Sequence, residues 1–367
     1  MKEIAQLVDS PRRPSAYLRR AWAWTRRRKK LATGLFLLSL CYVLAIGADF
    51  LAADDYRSQV RREPSAPPTV LHWRDAAGGW HLRPFIYPLR LSDPLARTYT
   101  EDTAQRYEIE FFARGYAYKF LGAFPTERHL FGARAEGQAP APRLHLLGTD
   151  GLGRDRGARL LRAARFSLVV GPLGALLASL VGIFLGSLAG FRPGLVDALL
   201  MRSADTMMSL PALVVILAAR AAFPLELPPL RAGLMMVAIF ALVGWAEMSL
   251  LTRGLVRSVS NSDFVLAARS LGLTEGRILW RHILPNLARP LVTQFMLLLP
   301  AFLLAETALS FLGVGLQEPE PSWGNMLAEA SNINLLEASP FVLLTPAIAI
   351  FIFVLAARLV SEGWQKP

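Results

Sequence analysis

A single cysteine among 367 residues excludes an intrachain disulfide and any thiol-built metal site. That residue, Cys41, lies inside an apolar run and reads as a small side chain facing lipid or a neighbouring helix. Histidine is also scarce. His72, His81, His129, His145 and His282 are scattered without ligand spacing, and no His-Glu-x-x-His helix occurs. A Gly-x-x-x-x-Gly-Lys-Ser/Thr loop is absent, so the chain has no phosphate cradle of its own. A nucleophile elbow is absent too. Charged residues make up only 19% of the chain against 53% hydrophobic, with mean hydropathy +0.35. A soluble domain of this length needs far less apolar sequence.

The apolar residues are gathered into runs. Six of them reach the roughly 20 residues that a helix needs to cross a hydrocarbon core of about 30 Å. They are 32–51, 166–189, 205–223, 232–251, 290–312 and 341–360. The third is interrupted by Pro211 and by Arg220, which sits near enough to the end to snorkel. The expected fold is an all-α polytopic membrane protein with six transmembrane helices. A large extracytoplasmic α/β insertion follows the first helix.

Charge gives the orientation. The net charge is +12, and Lys2, Arg12, Arg13, Arg19, Arg20, Arg26, Arg27, Arg28, Lys29 and Lys30 all precede the first span. Basic residues beside a span stay in the cytoplasm, which places the N-terminus there. Six spans then return the C-terminus to the same side. The 252–289 loop must also be cytoplasmic. It carries Arg253, Arg257, Arg269, Arg277, Arg281 and Arg289 against Asp263 and Glu275, as that parity requires. The basic arm precedes a span directly, so its partner is the lipid bilayer rather than nucleic acid. The first run is longer than the h-region of a cleaved signal peptide, although Ala48 and Ala52 are small.

Four regions follow. Residues 1–31 form a basic cytoplasmic arm, with Tyr17, Trp22 and Trp24 available for an interfacial helix. Residues 32–51 are the first transmembrane helix. Residues 52–145 are the insertion, with strand-like pieces at Thr69–Trp73, Trp80–Tyr87 and Tyr107–Phe112 and a turn at Ala76-Ala77-Gly78-Gly79. Its aromatics suit the core of a small folded cap or a docking surface. Residues 146–363 hold the other five spans.

Three stretches of that last region stand out. In SNSDFVLAARSLGLTEGRILWRHILPN, 260–286, Asn261, Ser262 and Asp263 supply caps for a helix carrying Phe264, Val265, Ala268 and Leu271 on one face. Gly272 stops it, Thr274 caps a second helix from Glu275 to Leu284, and Pro285 ends that one. A helix-turn-helix knob between two spans is a handle for a soluble partner. In Leu146–Gly171, Thr149 or Asp150 begins a helix, and Asp150 and Asp155 near Arg154 pin the loop to it. Arg159, Arg162 and Arg165 then lie on the outer side, against the usual bias. In Leu304–Leu327, Glu306 lies within an apolar run, so it must face protein or water. It either lines a passage or fixes an interhelical hydrogen bond. Pro319, Pro321, Ser322 and Trp323 form a rigid turn with an interfacial tryptophan. Between these stretches, Ala178, Gly182, Gly186 and Gly190 recur every four residues, one smooth face for close packing, with a partner subunit as one occupant. Asp197, Arg202 and Asp205 are placed for local ion pairs after it.

These stretches carry a resemblance. Ala267-Ala268, Gly272 and Ile283-Leu284-Pro285 resemble the coupling loop of ABC-importer permeases, whose glutamate falls at Leu266 and which also spans Arg269. Gly148, Thr149, Asp150, Leu152, Gly153, Arg154 and Asp155 resemble an external signature of the dipeptide/oligopeptide (peptide/nickel) importer permeases, and 304–327 is similar to the same group. The resemblance implies a type I importer permease fold and a cytoplasmic (inner) membrane location in a bacterium. It implies a second homologous permease subunit, two ABC ATPase subunits and an extracytoplasmic solute-binding protein as partners. It implies a non-catalytic chain without cofactor, ATP and magnesium being held by the ATPases, and short peptides as cargo. A non-transporting scaffold or receptor using the insertion is the alternative, and a membrane-embedded enzyme using Glu306, Asp150 and Asp155 is the remoter one.

Overall fold

The computed structural model describes residues 29–94, 97–120, 122–134, 142–191, 194–333, 336 and 340–365. The basic arm up to residue 28, with Tyr17, Trp22 and Trp24, lies outside the described residues.

Helix α1 (Lys29–Ile46) is largely apolar after Lys29 and Lys30, and the short α2 (Ala48–Leu51) continues it to the insertion. After the insertion come α3 (Arg156–Phe191), α4 (Leu195–Ser209), α5 (Ala212–Ala221) and α6 (Pro229–Ser260). The next turns are α7 (Asp263–Ser270), α8 (Glu275–Ile278) and α9 (Leu284–Asn286), with a π-helical turn at Leu279–Ile283 between the last two. Then follow α10 (Ala288–Phe311), α11 (Trp323–Ala328), α12 (Pro340–Leu343) and α13 (Thr345–Gln365).

Five helices are long and apolar enough to cross a membrane: α1, α3, α6, α10 and α13. The expected third span is not one helix. It is the pair α4 and α5, bent by 92°. Pro211 explains the break, because it lacks an N–H and forces Leu210 into the extended region (φ −94°, ψ 140°). The chain nevertheless returns to the insertion end. Arg220 of α5 is buried there and donates to the carbonyls of Val314, Phe223, Pro224 and Leu225. It ties two loops together and does not snorkel.

The direction of each helix follows from its contacts. Gly174 of α3 lies against Phe240 of α6, and Gly190 lies against Val256, so the two helices run side by side away from the insertion. The 260–286 segment therefore sits at the far end of the molecule from 52–145. Lys30 meets Glu362 at 2.5 Å, so the start of α1 and the end of α13 share that far end.

Two cores hold the bundle. The larger joins Leu168, Val170, Met236, Phe240, Phe302 and Phe353 from α3, α6, α10 and α13, with Phe240 and Phe302 stacked at 5.0 Å. The smaller joins Met248 and Val256 of α6 to Val265, Ala268, Ile278 and Ile283 below them.

Residues 52–145 contain strands and no helix among the described residues, so the expected α/β character is corrected to β. The strands are β1 (His72–Arg74), β2 (Trp80–Ile86), β3 (Leu89–Asp93), β4 (Thr98–Glu101), β5 (Tyr107–Phe111), β6 (Arg114–Phe120), β7 (Phe124–Arg128) and β8 (Phe131–Ala133). They form an antiparallel sheet β1-β2-β5-β8 and two hairpins, β3-β4 and β6-β7. The turn at 76–79 closes with Asp75 N donating to Gly79 O at 2.9 Å. Ile86, Tyr107, Ile109 and Leu144 make its core.

Candidate functional site

The knob at 260–286 is built against the far ends of α3 and α6. Val265 and Ala268 are buried and face inward. Phe264 and Leu271 do not share that face, and both are exposed. Leu266, Leu271 and Trp280 are 50%, 80% and 60% exposed, an apolar outer surface with no cover among the described residues.

Capping differs from expectation. Ser262 occupies the N-cap, but its hydroxyl donates back to Val259 O at 2.6 Å, and Thr274 makes no side-chain cap bond. Gly272 adopts φ +74°, where a side chain is strained. Gly272 N then donates to Arg269 O at 2.9 Å and Leu273 N to Ala268 O at 3.3 Å, a closed C-terminal turn. Arg269 holds Glu275 across that turn at 3.3 Å and lies over the Phe191 ring of α3. Pro285 does not end the second helix. It sits in the first turn of α9, where its missing N–H is not needed, and the wider π turn before it takes up the mismatch. Ile283 and Leu284 are buried beside it.

At the other end, the signature loop is a platform for the stem of the insertion. Thr149 N donates to Ala66 O at 3.0 Å, and Thr149 Oγ1 accepts from Ala66 N at 2.8 Å. Gly148 and Gly153 take φ +69° and +74°, and a Cβ on Gly153 would stand 2.1 Å from Val60 O. Asp150 organises the loop, accepting from Leu152 N at 2.8 Å, Arg154 N at 3.0 Å and Arg154 Nε at 2.6 Å. Asp155 does not pair with Arg154. It caps α3 instead, accepting from Ala158 N at 2.6 Å, so the helix starts after Asp155 rather than at Thr149 or Asp150. Its other oxygen meets His145 Nδ1 at 2.7 Å, and His145 Nε2 lies 3.1 Å from Glu63. Burial pushes the His145 imidazole down, but its bonds to Asp155 and Glu63 outweigh that and raise it to about 9. Sequence reading missed this triad, because Glu63 lies 82 residues before His145 and only the fold joins them.

The arginines at the insertion end are not bare. Arg154 and Arg159 share Glu318, Arg156 pairs with Glu329, and Arg165 meets Asp49 at 2.7 Å. Arg162 lies over the Tyr56 ring and 3.8 Å from Glu320, which also accepts from Tyr56 Oη at 2.9 Å. Beneath this collar, a cavity of about 350 Å³ opens between α3 and α6, walled by Phe166, Val169, Leu234 and Val237 with Arg162 and Glu320 at its rim. Glu306 does not line this cavity. It is fully buried on α10 and accepts from Ser310 Oγ at 2.8 Å, with the Ser167 and Ser322 hydroxyls also approaching it. Trp323 is buried as well, not interfacial, with Nε1 donating to Leu160 O at 3.3 Å.

The small-residue face of α3 is filled within the chain. A Cβ on Gly182 would stand 2.6 Å from Met248 Cβ, and one on Gly186 would stand 2.3 Å from Ser249 O of α6. Gly190 meets Arg253 and Val256. The occupant is α6, not a partner subunit. Asp197 likewise bonds outside its own helix, to Arg253 at 2.5 Å and to Arg257, rather than to Arg202.

Comparison with known families matches residues 182–366 to the binding-protein-dependent transport system inner membrane component. The chain belongs to this family. The permease is 28% identical to the dipeptide transport system permease protein of Bacillus subtilis strain 168 over 359 residues, 98% of this chain and 87% of the relative. It is 38% identical to the di/tripeptide transport system permease protein of Pseudomonas aeruginosa strain UCBPP-PA14, over 59% of this chain and 69% of the relative. It is 33% identical to the oligopeptide transport system permease protein of Bacillus subtilis strain 168, over 61% and 71%. The first match extends through residues 52–145, and the permease is a multi-pass inner-membrane component.

Proposed function

We propose that the permease forms one half of the translocation pathway of an ATP-driven importer of short peptides and that 260–286 couples it to ATP hydrolysis elsewhere. The names of its relatives support the cargo: dipeptides, di/tripeptides and oligopeptides. The partners in this reading are a second permease subunit, two ATPase subunits and an external solute-binding protein. The chain itself holds no ATP. The knob, the arm 1–31 and both termini are cytoplasmic. The insertion 52–145 is extracytoplasmic, and 146–363 is the permease core.

One observation carries the coupling role. The knob is fused to the bundle through Val265, Ala268, Ile278 and Ile283, yet presents Phe264, Leu266, Leu271 and Trp280 outward. A body that is rigid inward and apolar outward transmits the displacement of a docked subunit into α6 and α10. Coupling then requires that two conformations of the permease bind the ATPases with different free energy. The charge pattern supports the sidedness: the outer arginines are matched by Glu318, Glu320, Glu329 and Asp49, whereas Arg277 and Arg281 of the knob form no ion pair among the described residues. Glu306 is a packing residue, held by Ser310 and away from the cavity between α3 and α6.

The test is Ala268→Pro. Proline there removes a helix hydrogen bond and costs about 3 kcal/mol locally. The variant is expected to insert normally but to lose ATPase docking and transport. Normal substrate-stimulated ATP turnover in that variant would sink the coupling assignment.

A further inference from the structure

The β6-β7 hairpin ends in a turn whose composition does not suit water. Phe120 and the run Gly122-Ala123-Phe124-Pro125 carry no charge and no polar side chain. Turns of soluble domains favour Asn, Asp, Ser and Gly, which hydrogen-bond their own backbone. Here two phenylalanines face each other across the ladder, Phe120 opposite Phe124, and Phe124 is 65% exposed.

The base of the hairpin is fixed in height. Buried His129 lies 2.9 Å from Asp49 O and 3.0 Å from Tyr116 O, and Leu130 N donates to Phe50 O at 2.8 Å. The base therefore hangs from α2, at the level of the Asp49–Arg165 ion pair. The tip lies lower. Gly122 shares a cavity of about 310 Å³ with Tyr42, Ala45, Ile46, Leu168 and Val169, and with the collar residue Arg165 at its upper edge. Ala45 precedes Asp49 by four residues, about one helical turn or roughly 6 Å. Val169 follows Arg165 by four residues, one turn further along α3. Both helices run from the charged collar into the apolar layer in that direction, so the tip stands below the collar, beside the spans.

The surroundings of the tip are already apolar surface. Val43, Ile46 and Val169 are 62%, 51% and 47% exposed, and in a membrane that exposure is to lipid. The hairpin tip extends this belt sideways. Above it, Tyr118 and exposed Lys119 occupy the height at which aromatic and basic side chains meet headgroups.

We propose that the β6-β7 hairpin is a lipid anchor, with Phe120 and Phe124 seated in the bilayer leaflet on the insertion's side and Lys119 at its phosphates. The insertion is then held at two places, by α2 and by the bilayer. The sheet β1-β2-β5-β8 keeps a fixed height above the outer collar. The partner is phospholipid rather than a protein because the tip is continuous with the exposed apolar sides of α1 and α3.

The inference rests on the reading of α1 and α3 as spans, and the experiment separates the two. A fluorescent amino acid is introduced singly at Phe124, at Val43 and at Leu82 in the full chain, purified with its subunits and reconstituted in phosphatidylcholine–phosphatidylglycerol vesicles. Val43 is the lipid-facing control, and Leu82, fully exposed on β2, is the aqueous one. Quenching by nitroxide-labelled lipid is compared with quenching by iodide. The probe at 124 is expected to follow 43, losing several-fold more fluorescence to the lipid quencher than to iodide, while 82 shows the reverse. A probe at 124 that follows 82 overturns the anchor, and so does one shielded from both quenchers, which would mean a protein cover. If 43 itself follows 82, the spanning reading fails along with the anchor.

Discussion

Arg154 places Nη1 2.6 Å from Glu318 Oε2, across 164 residues of chain, and so joins the start of α3 to the loop after α10. Arg159 takes the other carboxylate oxygen at 2.7 Å. Both guanidiniums are buried, and Asp150 and Glu318 are the two counter-charges they share.

Removing that carboxylate has a measurable cost. Hydrogen bonds to charged groups contribute about 1.5–3 kcal/mol, but the Glu318 side chain is 49% exposed, and solvent screening reduces the figure to about 1 kcal/mol. Glu318→Ala is expected to lower the midpoint of thermal unfolding by a few degrees, and Glu318→Arg to lower it further. The readout is thermal unfolding of the purified protein in detergent.

His145 gives a pH dependence. Its imidazole is raised from 6.5 to about 9 in the folded protein, against the effect of burial, by its bonds to Asp155 and Glu63. A raised folded value stabilises fully below the unfolded value and is lost as pH rises through the folded one. Between about pH 6.5 and 9 the wild-type protein is expected to lose stability on the order of 3 kcal/mol from this group. His145→Gln is expected to flatten that slope. Thermal midpoints of both proteins measured across the range decide it.

The face of α3 tests close packing. Gly186→Val places a Cβ 2.3 Å from Ser249 O and forces α3 from α6, at about 1–3 kcal/mol. Gly254→Ala meets nothing within 4 Å and is expected to be neutral or slightly stabilising. Protease resistance of the membrane-inserted variants compares the two.

Glu306 separates its own two roles. If it fixes packing, Glu306→Gln keeps an acceptor for Ser310 Oγ and retains transport, while Glu306→Leu strands the hydroxyls around it and loses folded protein. If a charge in the pathway is needed, Glu306→Gln abolishes transport at normal yield. The first pattern is expected, read by peptide uptake against protein level.

Spans and the knob were legible because they depend on local signals: long apolar runs, a glycine at 272, and small residues every four positions on α3. The local signals failed where a distant partner decides. Spacing puts Phe264 and Leu271 on one face with Val265 and Ala268, but only Val265 and Ala268 pack against α6. Asp197 was assigned to its own helix, but Arg253 and Arg257 stand opposite it. Pro211 was visible as an interruption, but the 92° bend depends on where α5 finds the Val314 carbonyl for Arg220. The strands legible in the sequence, β1, β2 and β5, are three of the four in the main sheet. The hairpins β3-β4 and β6-β7 and the strand β8 are not legible in the sequence.

The coupling claim is tested most directly by what holds on to the chain in its own membrane. The tagged chain is crosslinked in intact cells, purified in mild detergent and its companions are sequenced by mass spectrometry. The account predicts a second permease and ATPase subunits, with crosslinks from the ATPase mapping to Leu266, Leu271 or Trp280. Recovery of the chain alone, or of ATPases crosslinked only outside 260–286, would contradict it.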